Sequence, residues 1–62
     1  EKAKKDADKA IQLNPKFADA YVNRANAREM MRDLDGACED WHKARELGSE
    51  LAKQYHSLNC SN

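Results

Sequence analysis

Residues 18–48 read ADAYVNRANAREMMRDLDGACEDWHKARELG, and the spacing of their apolar side chains decides the fold. From Phe17 to about Met31 the apolar positions are Phe17, Ala18, Ala20, Tyr21, Ala25, Ala27, Met30 and Met31. Steps of three and four dominate, which is the helical period. A polar turn follows, Arg32-Asp33-Leu34-Asp35-Gly36, in which Asp33 is placed to cap the next helix through its carboxylate. Leu34, Ala37, Cys38, Trp41, Ala44 and Leu47 then form a second stripe, the most regular in the chain. Trp41 has the largest apolar area and is expected to anchor the packing. Gly48 fits a helix C-terminus, where a left-handed residue is needed. The stretch therefore predicts two amphipathic helices folded back on one another.

Working outward, residues 1–14 (EKAKKDADKAIQLN) set Ala3, Ala7, Ala10, Ile11 and Leu13 on a stripe among lysines and aspartates. Asn14-Pro15 stops that helix, because proline disfavours the α conformation in the residue before it. A stripe made mostly of alanine buries little area, so this helix depends on its neighbour. On the other side, Ser49 can N-cap a last helix running from Glu50 to about Asn59. That helix carries Leu51, Ala52, Tyr55 and Leu58 on one face, and Cys60-Ser61-Asn62 are expected to fray. The predicted class is all-α, about four helices in antiparallel helix–turn–helix order.

Composition narrows the function. Sixty-two residues make one small domain at most, or a piece of a longer array. Eleven basic residues balance eleven acidic ones, so no basic face points to nucleic acid or to a membrane surface. No apolar run approaches the roughly 20 residues of a membrane span. There is no nucleophile–base spacing, no glycine-rich phosphate loop and no clustering of apolar-embedded carboxylates, so neither an enzyme nor a cofactor is expected.

Sliding the chain by 34 residues aligns seven identical pairs: Ala3/Ala37, Asp6/Asp40, Lys9/Lys43, Ala10/Ala44, Leu13/Leu47, Ala18/Ala52 and Tyr21/Tyr55. Most lie on or beside the packing face. A 34-residue period of helix–turn–helix units resembles the tetratricopeptide repeat. Tyr21 and Ala25 stand where that family has its first-helix aromatic and small residue. Ala37, Trp41 and Ala44 match the alanine, aromatic and alanine of its second helix, and Ala10-Ile11-Gln12-Leu13-Asn14-Pro15 resembles a repeat ending. The resemblance implies the second helix of a preceding repeat at 1–14, a complete repeat at 15–48 and a capping helix at 49–62. The departures are Arg24 for a leucine, Arg28 for an aromatic, Arg32 for the turn glycine, Ser49 for the closing proline and Ala7 for an aromatic. Arginine stems can still cover apolar surface. The missing proline, with the Gly48-Ser49 turn, points to an array that ends here.

The family's usual work is binding a peptide or protein segment on a concave face. By resemblance, Asp19, Val22, Asn23, Asn26, Glu29 and Met30 would face it from the central repeat, and Lys53, His56 and Ser57 from the last helix. Members that grip an acidic C-terminal peptide carry asparagines at the sites of Asn23 and Asn26, with basic residues around those of Lys53 and Ser57. Here Lys53 fits that pattern and Ser57 does not. The competing expectation is structural: the Ala3-Ala7-Ala10 face lacks a covering helix and would pair with another copy, making the chain a capping or self-associating segment.

Cys38 and Cys60 are nearly equidistant from the Gly48-Ser49 turn, as are His42 and His56, and each histidine is four residues from its cysteine. In an antiparallel hairpin the cysteines lie level, about 16 Å from the turn at 1.5 Å per residue. Three readings stay open: a Cys38–Cys60 disulfide pinning the last helix, a CxxxH/HxxxC zinc site, or a buried Cys38 with a free Cys60 and two solvated histidines.

Overall fold

The computed structural model describes residues 2–60 and contains four helices in chain order: α1 (Lys2–Leu13), α2 (Ala18–Met30), α3 (Leu34–Glu46) and α4 (Glu50–Asn59). The links are four, three and three residues long, which forces each helix back along the one before it. Each packs on its sequence neighbour, α2 against α3 most extensively. No strand occurs among the described residues. The all-α helix–turn–helix expectation holds.

The three links explain the turns residue by residue. Asn14 Oδ1 accepts from the Lys16 amide at 3.2 Å, and the Tyr21 hydroxyl donates to the Pro15 carbonyl at 3.0 Å, so the first link is tied to α2. At the second, Arg32 takes φ 64° and Asp33 N donates to Arg28 O at 2.8 Å, closing α2 with a left-handed residue that is not glycine. The Asp33 carboxylate then accepts from the Gly36 amide at 3.0 Å, the cap its position predicts. At the third, Gly48 takes φ 101° and Ser49 N donates to Ala44 O at 3.0 Å, while Ser49 Oγ accepts from Ala52 N at 3.1 Å.

The core is Tyr21, Val22, Ala25, Ala37, Trp41, Ala44 and Ala52, with Ile11, Leu47 and Tyr55 packed against it. Trp41 is 1% exposed, and its ring lies 5.7 Å from that of Tyr55. Ala25, Ala37, Ala44 and Ala52 are completely buried. Alanines at these crossings let the backbones close around the single large ring.

Several stripe residues stay outside. Leu13, Met30 and Leu58 are more than three-quarters exposed, and Phe17, Met31, Leu34 and Leu51 are also open to water. Four short helices in a row leave every outer face uncovered, and a periodic stripe cannot tell which side meets a neighbour. The expectation of fraying fails at Cys60, which caps α4, its amide donating to His56 O at 2.8 Å. The remaining two residues of that expectation, 61 and 62, lie outside the described part.

Candidate functional site

Between α1 and α2 lies an open groove of about 400 Å³. Ala3, Asp6, Ala7 and Ala10 line it from α1; Ala20, Asn23, Asn26, Ala27 and Met30 line it from α2, together with Phe17. Half of the lining residues are alanines, whose short side chains leave the groove open. Asn23 is exposed and Asn26 half-buried, so both amides are available to a ligand. Asp6 gives the lining a negative charge.

The structure thus gathers Asn23, Asn26 and Met30 in one groove, and places Lys53 elsewhere, in a shallow depression with Glu50, Gln54, Ser57 and Leu58. Asp19 and Glu29 are exposed on α2, and His56 is half-buried on α4. Val22, expected on the binding face, is instead 6% exposed and part of the core. It is apolar and next to Tyr21 on the side of α2 turned to α3, so burial is its cheaper state.

A polar cluster that sequence reasoning missed stiffens the groove wall. Arg24 donates from Nε and Nη2 to the two carboxylate oxygens of Asp40 at 2.9 and 2.8 Å, and from Nη1 to Asp8 at 2.8 Å. Arg28 adds Nε 3.7 Å from Asp40 and an Nη1 hydrogen bond of 3.4 Å to the Gly36 carbonyl. Asp40 is 3% exposed, so it is a buried carboxylate under two guanidinium groups. The Asp40 hydrogen bonds push the Arg24 guanidinium further up from its already high pKa. The Arg24 hydrogen bond, with help from Lys4, holds Asp8 below the ordinary carboxylate value against the opposing effect of burial. One helix from each side of α2 is therefore fastened to it through Arg24. The Asp6/Asp40 identity was the available signal: the same acid recurs on the packing face 34 residues apart, covered by an arginine in one copy and open to the groove in the other.

At the far end of the α3–α4 hairpin the structure joins Cys38 to Cys60 in a disulfide, with Cα atoms 5.9 Å apart. His42 and His56 face each other one turn away, ring centres 5.7 Å apart. With the sulfurs joined, no three His, Cys, Asp or Glu side chains among the described residues are arranged to hold a metal ion.

The profile of the tetratricopeptide repeat matches residues 7–39, from the middle of α1 into α3. The chain belongs to the tetratricopeptide repeat family. This repeat segment is also 47% identical over 45 residues to RNA polymerase II-associated protein 3 of Xenopus tropicalis, and 44% identical over 45 residues to the protein of that name from Xenopus laevis. Each match covers 73% of the chain but 7% of the relative, so the segment corresponds to a small part of those proteins. No solved structure matches it. The family's repeats form scaffolds for protein–protein interaction, and protein partners are the general expectation for this one. No helix among the described residues is long and apolar enough to cross a membrane.

Proposed function

We propose that this tetratricopeptide repeat segment binds a peptide or protein segment in the groove between α1 and α2. The observation that supports this best is the joint presence of Asn23, Asn26 and Met30 on a groove whose other walls are mostly alanine. Two amides supply hydrogen bonds to a backbone, Met30 supplies an adaptable apolar contact, and the small walls leave room for the incoming chain. Asp6 favours a segment that carries lysine or arginine, and Lys53 lies outside the groove, so an acidic peptide is the poorer fit.

Peptide-array binding, followed by fluorescence anisotropy on the best hits, tests the reading. Replacing Asn23 and Asn26 together by alanine should weaken binding by roughly tenfold or more, at about 1 kcal/mol for each lost hydrogen bond. Unchanged affinity in a double variant that remains helical would count against the groove.

The Ala3-Ala7-Ala10 face, expected to pair with another copy, instead lines the groove against α2, with Ala7 4% exposed. A second reading, self-association, therefore draws on the exposed Leu51 and Leu58 of α4. Light scattering over a concentration series separates the two, since a mass that stays monomeric at high concentration leaves the self-association reading without support.

A further inference from the structure

We propose that reduction of the Cys38–Cys60 disulfide turns the end of the α3–α4 hairpin into a Cys2His2 site for a thiophilic divalent metal ion, zinc foremost, with Cys38, His42, His56 and Cys60 as ligands. The proposal rests on how the four side chains are placed. Cys38 and His42 are four apart on α3, and His56 and Cys60 are four apart at the end of α4. Residues at that spacing stand on one face of a helix, one turn above each other. The helices are antiparallel, so the two pairs meet in register: the cysteines are joined, and the imidazole rings are 5.7 Å apart one turn nearer the Gly48 turn. Two sulfurs and two rings thus mark the corners of one small quadrilateral spanning both helices.

The dimensions suit a metal. Zinc takes imidazole nitrogen at about 2.0–2.1 Å and thiolate sulfur at about 2.3 Å in tetrahedral geometry. Two rings bound to one ion have centres about 5 Å apart at those bond lengths, close to the separation they already have. Joined sulfurs sit closer together than two thiolates on one zinc, so they need only separate while their backbones, 5.9 Å apart, stay in place. Soft thiolates with imidazoles select zinc over hard ions such as calcium or magnesium.

The surroundings agree. His42 Nε2 is 3.1 Å from Glu46, and a carboxylate on the second nitrogen is the usual way to orient a metal-bound imidazole. Nδ1, the nitrogen left to ligate, is 3.3 Å from Arg45 Nη2, an exposed side chain that must swing aside for the ion. Both histidines lie off the Trp41-centred core and outside the groove.

The chemistry balances. A dithiol reductant gives the disulfide two electrons and two protons and leaves as its own disulfide; the divalent ion then displaces both thiol protons, which go to solvent. Oxidised, the hairpin end is a covalent clasp without a metal. Reduced and metallated, it is a clasp of the same reach, so α4 stays pinned in either state.

Cobalt(II) titration of the chain, reduced with a phosphine that does not compete for metal, tests this. Expected are equimolar binding, the visible d–d bands of tetrahedral cobalt with thiolate charge transfer, their bleaching by zinc, and none of these in the oxidised chain. His42→Gln and His56→Gln should each abolish the tetrahedral spectrum; both positions are off the core, and circular dichroism checks that helicity is kept. A reduced chain that loses helicity and regains it with zinc supports the same conclusion. No cobalt spectrum, or one that survives both histidine replacements, overturns it.

Discussion

Arg24 grips both oxygens of the Asp40 carboxylate, at 2.9 and 2.8 Å, across the interface between α2 and α3. Asp40 is buried, so its charge has lost water and depends on this partner. Removing one member of such a pair strands the other. Arg24 keeps a fifth of its side chain in solvent and Arg28 stays 3.7 Å away, which softens the loss. Arg24→Ala should therefore cost about 2 kcal/mol, below the roughly 3–5 kcal/mol of a fully buried pair. Replacing both residues by apolar ones of similar size, Arg24→Met with Asp40→Leu, should recover most of it. Urea unfolding of the three variants checks this; a double variant as unstable as the single one would show that the pair is more than mutually compensating.

Arg32 offers a gain. It is a non-glycine residue at φ 64°, at the end of α2, where Gly48 serves at the end of α3. A side chain in the left-handed region costs about 1–2 kcal/mol. Glycine removes that strain but adds about 0.5–1 kcal/mol of unfolded-chain entropy. Arg32→Gly should therefore raise stability by about 0.5–1 kcal/mol net, seen as a higher Tm with unchanged helicity. Gly48→Ala should do the reverse, through φ 101° alone, since nothing near that position would meet the added methyl.

The helices, their caps and the tryptophan anchor were legible because each depends on local pattern. Asp33, Gly48 and Ser49 could be read as punctuation from type and place alone. The binding face was legible only in part. Asn23, Asn26 and Met30 do share a groove, but Val22 is core and Lys53 is elsewhere, because exposure depends on which side of α2 meets α3. Periodicity gives the face and not the neighbour. The Arg24–Asp40 clamp escaped for a related reason: 16 residues separate its members, and each looks like ordinary helix-surface charge.

Acid should loosen the fold in two steps. His56 has its pKa depressed, mainly by burial, and Asp8 has its own depressed, mainly by the Arg24 hydrogen bond. Each group thus binds its proton more readily when unfolded, so stability is full above the unfolded pKa and falls as pH drops toward the folded value. The first fall should begin below about pH 6.5 and the second below about pH 4, the ordinary histidine and aspartate values. Thermal midpoints across a pH series check both. His56→Gln should remove the first step and leave the second; a first step that persists in that variant would assign it to another group.

The disulfide should be the strongest single constraint on α4. It closes a loop over a sequence separation of 22, a cross-link worth about 3 kcal/mol through the unfolded chain. For a chain of this size that is a large share of the total, because a 60-residue domain buries only about 60% of its unfolded surface. In the presence of a chelator, Cys38→Ser should therefore lower the free energy of unfolding by about that amount. The loss should begin at α4, whose buried hold on the rest is Ala52 and the contact of Tyr55 with Trp41. Trp41 is the only tryptophan, so its emission reports the event: a red shift that precedes loss of helical signal in α1–α3 is expected. If emission and circular dichroism instead change together at every denaturant concentration, α4 is not released ahead of the other helices, and the disulfide acts on one cooperative unit.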